Sequence, residues 1–179
     1  LQSLKSIGGS YLIDDAPLLR SLDGMDSLNH IGNSLFLQTL PTLTNLYPLK
    51  NLTDLPGLLW LDGCDALATL VGLHHLANIG SADNVFSGQL AVANCAALEN
   101  LAGLENLKSV SSLVLQENAH LKNLAGLENL DTIRSDLRVS DNPTLENLNA
   151  LAGVESAMED VFLLRDNDAL KTLEGIGTL

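Results

Sequence analysis

Two columns of leucine, each unbroken over seven positions, constrain this chain more than any other feature. Take Tyr11, Leu35, Leu59, Leu90, Leu113, Leu137 and Phe162 as position zero of a repeat. Position +8 is then Leu19, Leu43, Leu67, Leu98, Leu121, Leu145 and Leu170. Position +11 is Leu22, Leu46, Leu70, Leu101, Leu124, Leu148 and Leu173. The starts lie 24, 24, 31, 23, 24 and 25 residues apart, a self-similarity that marks stacked structural units. Position +13 reads Gly24, Pro48, Gly72, Gly103, Gly126, Ala150 and Gly175, the mark of a tight bend. Position +20 returns to the apolar set with Ile31, Leu55, Ile79, Val110 and Ile133.

The spacing within a repeat is mixed, and that dictates the shape. Positions 0 and +2 alternate sides as a short strand does. The later leucines recur every three residues, which suits extended or 3₁₀-like pieces turning corners better than a helix of period 3.6. One coil cannot offset the entropy of ordering its own backbone, so neighbours must complete it by burial and strand pairing. The expected fold is mainly β: a parallel β-solenoid of about seven repeats of roughly 24 residues, with little regular helix. Residues 1–179 form one such segment.

Asparagine marks the corners. It stands at +5 in Asn118, Asn142 and Asn167, at +10 in Asn45, Asn100, Asn123 and Asn147, and at +16 in Asn51, Asn106 and Asn129. Asparagine tolerates turn conformations, and its amide pairs with backbone groups that a strand end leaves free. Stacked amides also bond to one another along the axis. These columns therefore read as structural, and the single glycosylation sequon, Asn51-Leu52-Thr53, falls in one of them.

The stretches "IGNSLFLQTLPTLTNL" and "SDLRVSDNPTLENLNALAGV" resemble the receptor L-domain group of leucine-rich repeats. The shared pattern is L-x-L-x-x-N with the next apolar residue three after the asparagine, as in Asn142 to Leu145, and "IGGSY" and "IGNSL" match its glycine-bearing step into the strand. Positions +5 of the first four coils depart from it as Ala16, Leu40, Cys64 and Cys95. The resemblance implies a right-handed parallel coil, extracellular or at the cell surface, that binds proteins or glycans on a sheet face without catalysis. Leu1, Leu4 and Ile7 fit the end of a preceding coil and Leu179 fits +17, so the segment is expected to continue into flanking coils or domains of a longer repeat protein.

Positions +1 and +3 point outward together. In the first three coils they are Leu12 with Asp14, Phe36 with Gln38, and Trp60 with Asp62. Further along come Val114 with Gln116, then Arg138. These nine residues are the candidate binding set, because an apolar stripe with a polar rim marks an interaction site. An indole beside carboxylate and amide groups also suits a sugar ring. The competing reading is that a neighbouring domain or a loop covers the stripe. The 31-residue repeat carries its extra residues near 80–88, "GSADNVFSG", where a loop could overhang Trp60.

Other chemistry is scarce. A formal charge of −13 disfavours nucleic acid and anionic membrane partners, and no apolar run spans a bilayer. Cys64 and Cys95 share the +5 column in consecutive coils; they read as two buried thiols, although strand spacing of about 5 Å also admits a disulfide. His30, His74, His75 and His120 lack metal-ligand spacing, and the adjacent His74 and His75 are expected on different faces. The acidic turns at 62–65, 140–142 and 165–168 lack a calcium-loop signature, and no nucleophile elbow or phosphate loop appears. The expectation is a non-catalytic recognition or adhesion module with no cofactor. The alternative is a structural spacer or filament subunit whose ends or edges associate.

Overall fold

The computed structural model describes residues 3–81, 87–155 and 160–176. Its strands, in chain order, are β1 (Ser6–Ile7), β2 (Tyr11–Asp14), β3 (His30–Ile31), β4 (Leu35–Gln38), β5 (Asp54–Leu55) and β6 (Leu59–Asp62). They continue as β7 (Asn78–Ile79), β8 (Gln89–Ala93), β9 (Ser109–Val110), β10 (Ser112–Gln116), β11 (Thr132–Ile133), β12 (Leu137–Ser140) and β13 (Phe162–Arg165). One parallel sheet takes the order β13-β12-β10-β8-β6-β4-β2, and a second takes β11-β9-β7-β5. β1 pairs with β3. The molecule is a parallel β-solenoid of about six turns.

Register settles the repeat frame. Leu35 pairs with Leu59 and Leu113 with Leu137, so position zero lies over position zero. The long repeat obeys the same rule, because Leu59 pairs with Leu90 and the extra residues are looped out of the ladder. Gly80 and Gly88 pinch the base of that loop: a Cβ on Gly88 would lie 2.3 Å from the Gly80 Cα. The proposed overhang itself, at 82–86, lies outside the described residues.

Over the central coils the inward columns close into one core, while Phe162 and Leu173 of the last coil stay exposed. Leu43, Leu67, Leu98, Leu121 and Leu145 at +8 are buried, while Leu19 and Leu170 in the outermost coils are partly so. The bend at +13 has a steric cause. Gly72 sits at φ +122°, and a Cβ there would lie 2.1 Å from the Leu46 carbonyl oxygen of the coil beneath. Two coils lack this glycine, and both turn the corner differently, with 3₁₀ pieces at Tyr47–Leu49 and Asn149–Leu151.

A second bend lies just past each strand of the large sheet. Position +4 is left-handed in every coil: Asp15, Thr39, Gly63, Asn94, Glu117, Asp141 and Asp166 have φ between 51° and 65°. Such angles are unfavourable for non-glycine residues, and stacking holds them. The Thr39, Asn94, Glu117 and Asp141 N–H groups donate to the +3 carbonyl of the next coil at 2.8–3.1 Å. The asparagine corners act as expected. Asn51, Asn106 and Asn129 donate to the +15 carbonyls of Asp26, His74 and Glu105, and Asn45, Asn100, Asn123 and Asn147 accept an N–H two residues on.

Candidate functional site

Strand alternation positions the site. In β2, β4 and β6 the inward residues are the more buried and the outward ones the more open. Leu12 pairs with Phe36 and Phe36 with Trp60, so three large apolar side chains stand in one file across adjacent strands about 4.8 Å apart. Leu12 is 57% exposed, and Phe36 and Trp60 are half-buried. Asp14, Gln38 and Asp62 run parallel to this file, and the Asp62 carboxylate accepts the Asn94 amide at 2.9 Å. Trp60 Nε1 is buried with no hydrogen-bond partner among the described residues. The indole's polar edge is thus turned away from water while the rest of the ring contributes apolar surface.

The nine candidate residues do not form one continuous patch. β8 interrupts them: its outward residues are Ala91, only 5% exposed, and Ala93. Beyond that small-residue strand the character changes. Val114 is half-buried, Gln116 donates to Glu117 at 2.8 Å, and Arg138 is exposed with Asp136 3.6 Å away. Leu12, Asp14, Phe36, Gln38, Trp60 and Asp62 are brought together; Val114, Gln116 and Arg138 make a separate, polar stretch. Leu58, one step before β6, is half-buried, whereas Ser34 at the matching place before β4 is buried. The face is flat. Concavities of about 310 Å³ at Asn123, Glu128, Asn147 and Ala150, and about 260 Å³ at Asp54, Asn78, Gly80, Ser109 and Arg134, lie elsewhere on the coil.

The titratable groups carry structural jobs. Cys64 and Cys95 are free, fully buried thiols. A hydrogen bond from Cys95 holds the Cys64 pKa down, and the same bond, together with burial, pushes Cys95 far up. Burial also raises the Tyr11 phenol. His74 and His75 do not split between faces: their rings lie 4.3 Å apart on the outer corner, where His75 Nδ1 meets the Lys50 carbonyl at 2.8 Å. His75 occupies the +16 column and does there what asparagine does in its neighbours. Among the described residues, no group of three or more His, Cys, Asp and Glu side chains could hold a metal ion, and no helix is long and apolar enough to cross a membrane.

Fold and face together define a class: a parallel β-solenoid with an apolar file and acidic rim on one end of its large sheet. Comparisons with protein-family models, curated proteins and solved structures return no match to this chain.

Proposed function

We propose that this chain is a non-catalytic recognition or adhesion module of the receptor L-domain, leucine-rich-repeat type. It works outside the cell or at its surface and binds a protein or glycan across β2, β4 and β6. The supporting observation is the outward-facing Leu12–Phe36–Trp60 file, with Leu12 exposed and the two rings half-buried, in a chain whose inward columns are already filled with leucine. These side chains have no core left to fill, and an apolar stripe rimmed by Asp14, Gln38 and Asp62 offers both stacking surface and hydrogen-bond acceptors.

Trp60 is the only tryptophan, so its fluorescence reports on this face alone. Titration with defined oligosaccharides and with immobilised extracellular-type peptides should give saturable changes for one class. Isothermal titration calorimetry, which needs no indole reporter, compares the variants: Trp60→Ala and Phe36→Ala should weaken that binding at least about tenfold, a loss of about 1.4 kcal/mol, while Lys108→Ala leaves it unchanged. Equal binding by all four proteins contradicts the assignment.

A second reading, a spacer or filament subunit, has its own support. β13 is paired on one side within the described residues, and Phe162, in an inward column, is 46% exposed. Sedimentation equilibrium separates the two, since association that rises with concentration favours the filament and a concentration-independent monomer counts against it.

A further inference from the structure

The corner at +5 holds a pair of side chains that neither the fold nor the recognition face requires. Leu61 pairs with Val92 and Asp62 with Ala93, and two residues beyond these partners Cys64 comes beside Cys95. Neighbouring parallel strands are about 4.8 Å apart, within the roughly 4.4–6.8 Å Cα separation that a disulfide spans. Both residues are 0% exposed, and both are free thiols. Their hydrogen-bond partners are weak ones: Cys64 Sγ meets the Leu37 carbonyl at 3.6 Å, and Cys95 Sγ meets that of Ala93 at 3.3 Å. In later coils the same corner carries amide donors, such as Asn118 Nδ2 to the Val92 carbonyl at 2.9 Å. Giving up two S–H donors therefore forfeits little, whereas the asparagine corners have no such freedom.

We propose that Cys64 and Cys95 are a disulfide-forming pair that closes when the chain folds in an oxidising compartment, stapling β6 to β8. The oxidant is a small-molecule disulfide of the glutathione class. The Cys64 thiolate attacks one reagent sulfur, forming a mixed disulfide and expelling a thiolate that leaves as thiol with the Cys64 proton. The Cys95 thiolate then attacks the Cys64 sulfur, forming the intrachain bond and releasing the second reagent thiol with the Cys95 proton. Two protein thiols are oxidised and one reagent disulfide is reduced. The bond encloses the long repeat and fixes the Trp60 strand against the alanine strand beside it.

The test is to refold the full chain in oxidising glutathione buffer and, separately, with excess dithiothreitol. Peptide mapping should give a Cys64–Cys95 cross-linked pair, 2 Da lighter than the reduced form, in the oxidised sample only. Far-UV circular dichroism should match between the two, and the oxidised chain should melt about 5–10 °C higher. Cys64→Ser and Cys95→Ser should each abolish both the cross-link and the rise. Two free thiols after oxidative folding, only mixed or intermolecular disulfides, or an oxidised chain melting at or below the reduced one would overturn the proposal.

Discussion

The four N-terminal coils and the three C-terminal coils share their inward leucines and differ at the corner and on the outer sheet. In the first four, +5 is Ala16, Leu40, Cys64 and Cys95, and the outer file runs Leu12, Phe36, Trp60, Ala91. In the last three, +5 is asparagine throughout, and the amides interlock. Asn142 donates to the Leu115 and Ser140 carbonyls and accepts the Asn118 N–H, while its own N–H goes to Asn167. The outer file there becomes Val114, Arg138 and Leu163, with Arg165 bonded to Asp141 at 3.0 Å. The same coil geometry is thus held by a polar spine at one end and by apolar or thiol filling at the other. The inner columns carry the fold, which leaves the corner and the outer file free to diverge.

Substitutions can break or sharpen that contrast. Asn142→Leu strands three buried backbone groups at a cost of about 1–3 kcal/mol each, so it should lower stability by about 4 kcal/mol or more in urea melts. Leu40→Ala, at the matching corner, leaves only a cavity and should cost about 2–4 kcal/mol. A leucine tolerated at position 142 would erase the distinction between the halves. Corner glycines belong to both ends, and Gly72→Ala and Gly126→Ala should each cost about 3 kcal/mol. A large difference between them would mean that the two halves do not share one bend.

Trp60→Ala should cost less, about 1–2 kcal/mol, because the indole is half-buried and its loss also frees an unpaired N–H. The smallest effect belongs to the exposed Arg165–Asp141 pair. Ser140 first, then Arg165, hold the Asp141 pKa below its usual value. A depressed carboxylate stabilises the fold above its unfolded pKa and loses that contribution as pH falls through the folded value. Arg165→Met should therefore leave the neutral-pH melt nearly unchanged and slightly flatten the acid-side decline.

The solenoid was legible because its constraint is periodic. A side chain that must stack on its counterpart in the next coil repeats as leucine, and Leu67 over Leu98 survives even the long repeat. The left-handed corner at +4 was not legible. Asp15, Thr39, Gly63, Asn94 and Glu117 share a conformation imposed by the coil, so no single residue type records it. Pro48 and Ala150 share the +13 column with the glycines, and that their corners are 3₁₀ pieces is seen only in the backbone. Alternation marked Leu12, Phe36 and Trp60 as outward-facing. The repeat frame also places Ala91 between Trp60 and Val114, and the strand register agrees. His75 shares the corner with His74 because its polar partner is the Lys50 carbonyl of the coil beneath, a contact that sequence adjacency does not record.

The central claim is that the N-terminal half turns a file of large apolar side chains to solvent over a sealed leucine core. Hydroxyl-radical footprinting of the free chain, read by peptide mass spectrometry, tests it without any ligand. Leu12, Phe36 and Trp60 should be oxidised while their strand neighbours Leu37 and Leu61 stay protected. Phe36 and Trp60 as protected as Leu37 and Leu61 would contradict the account.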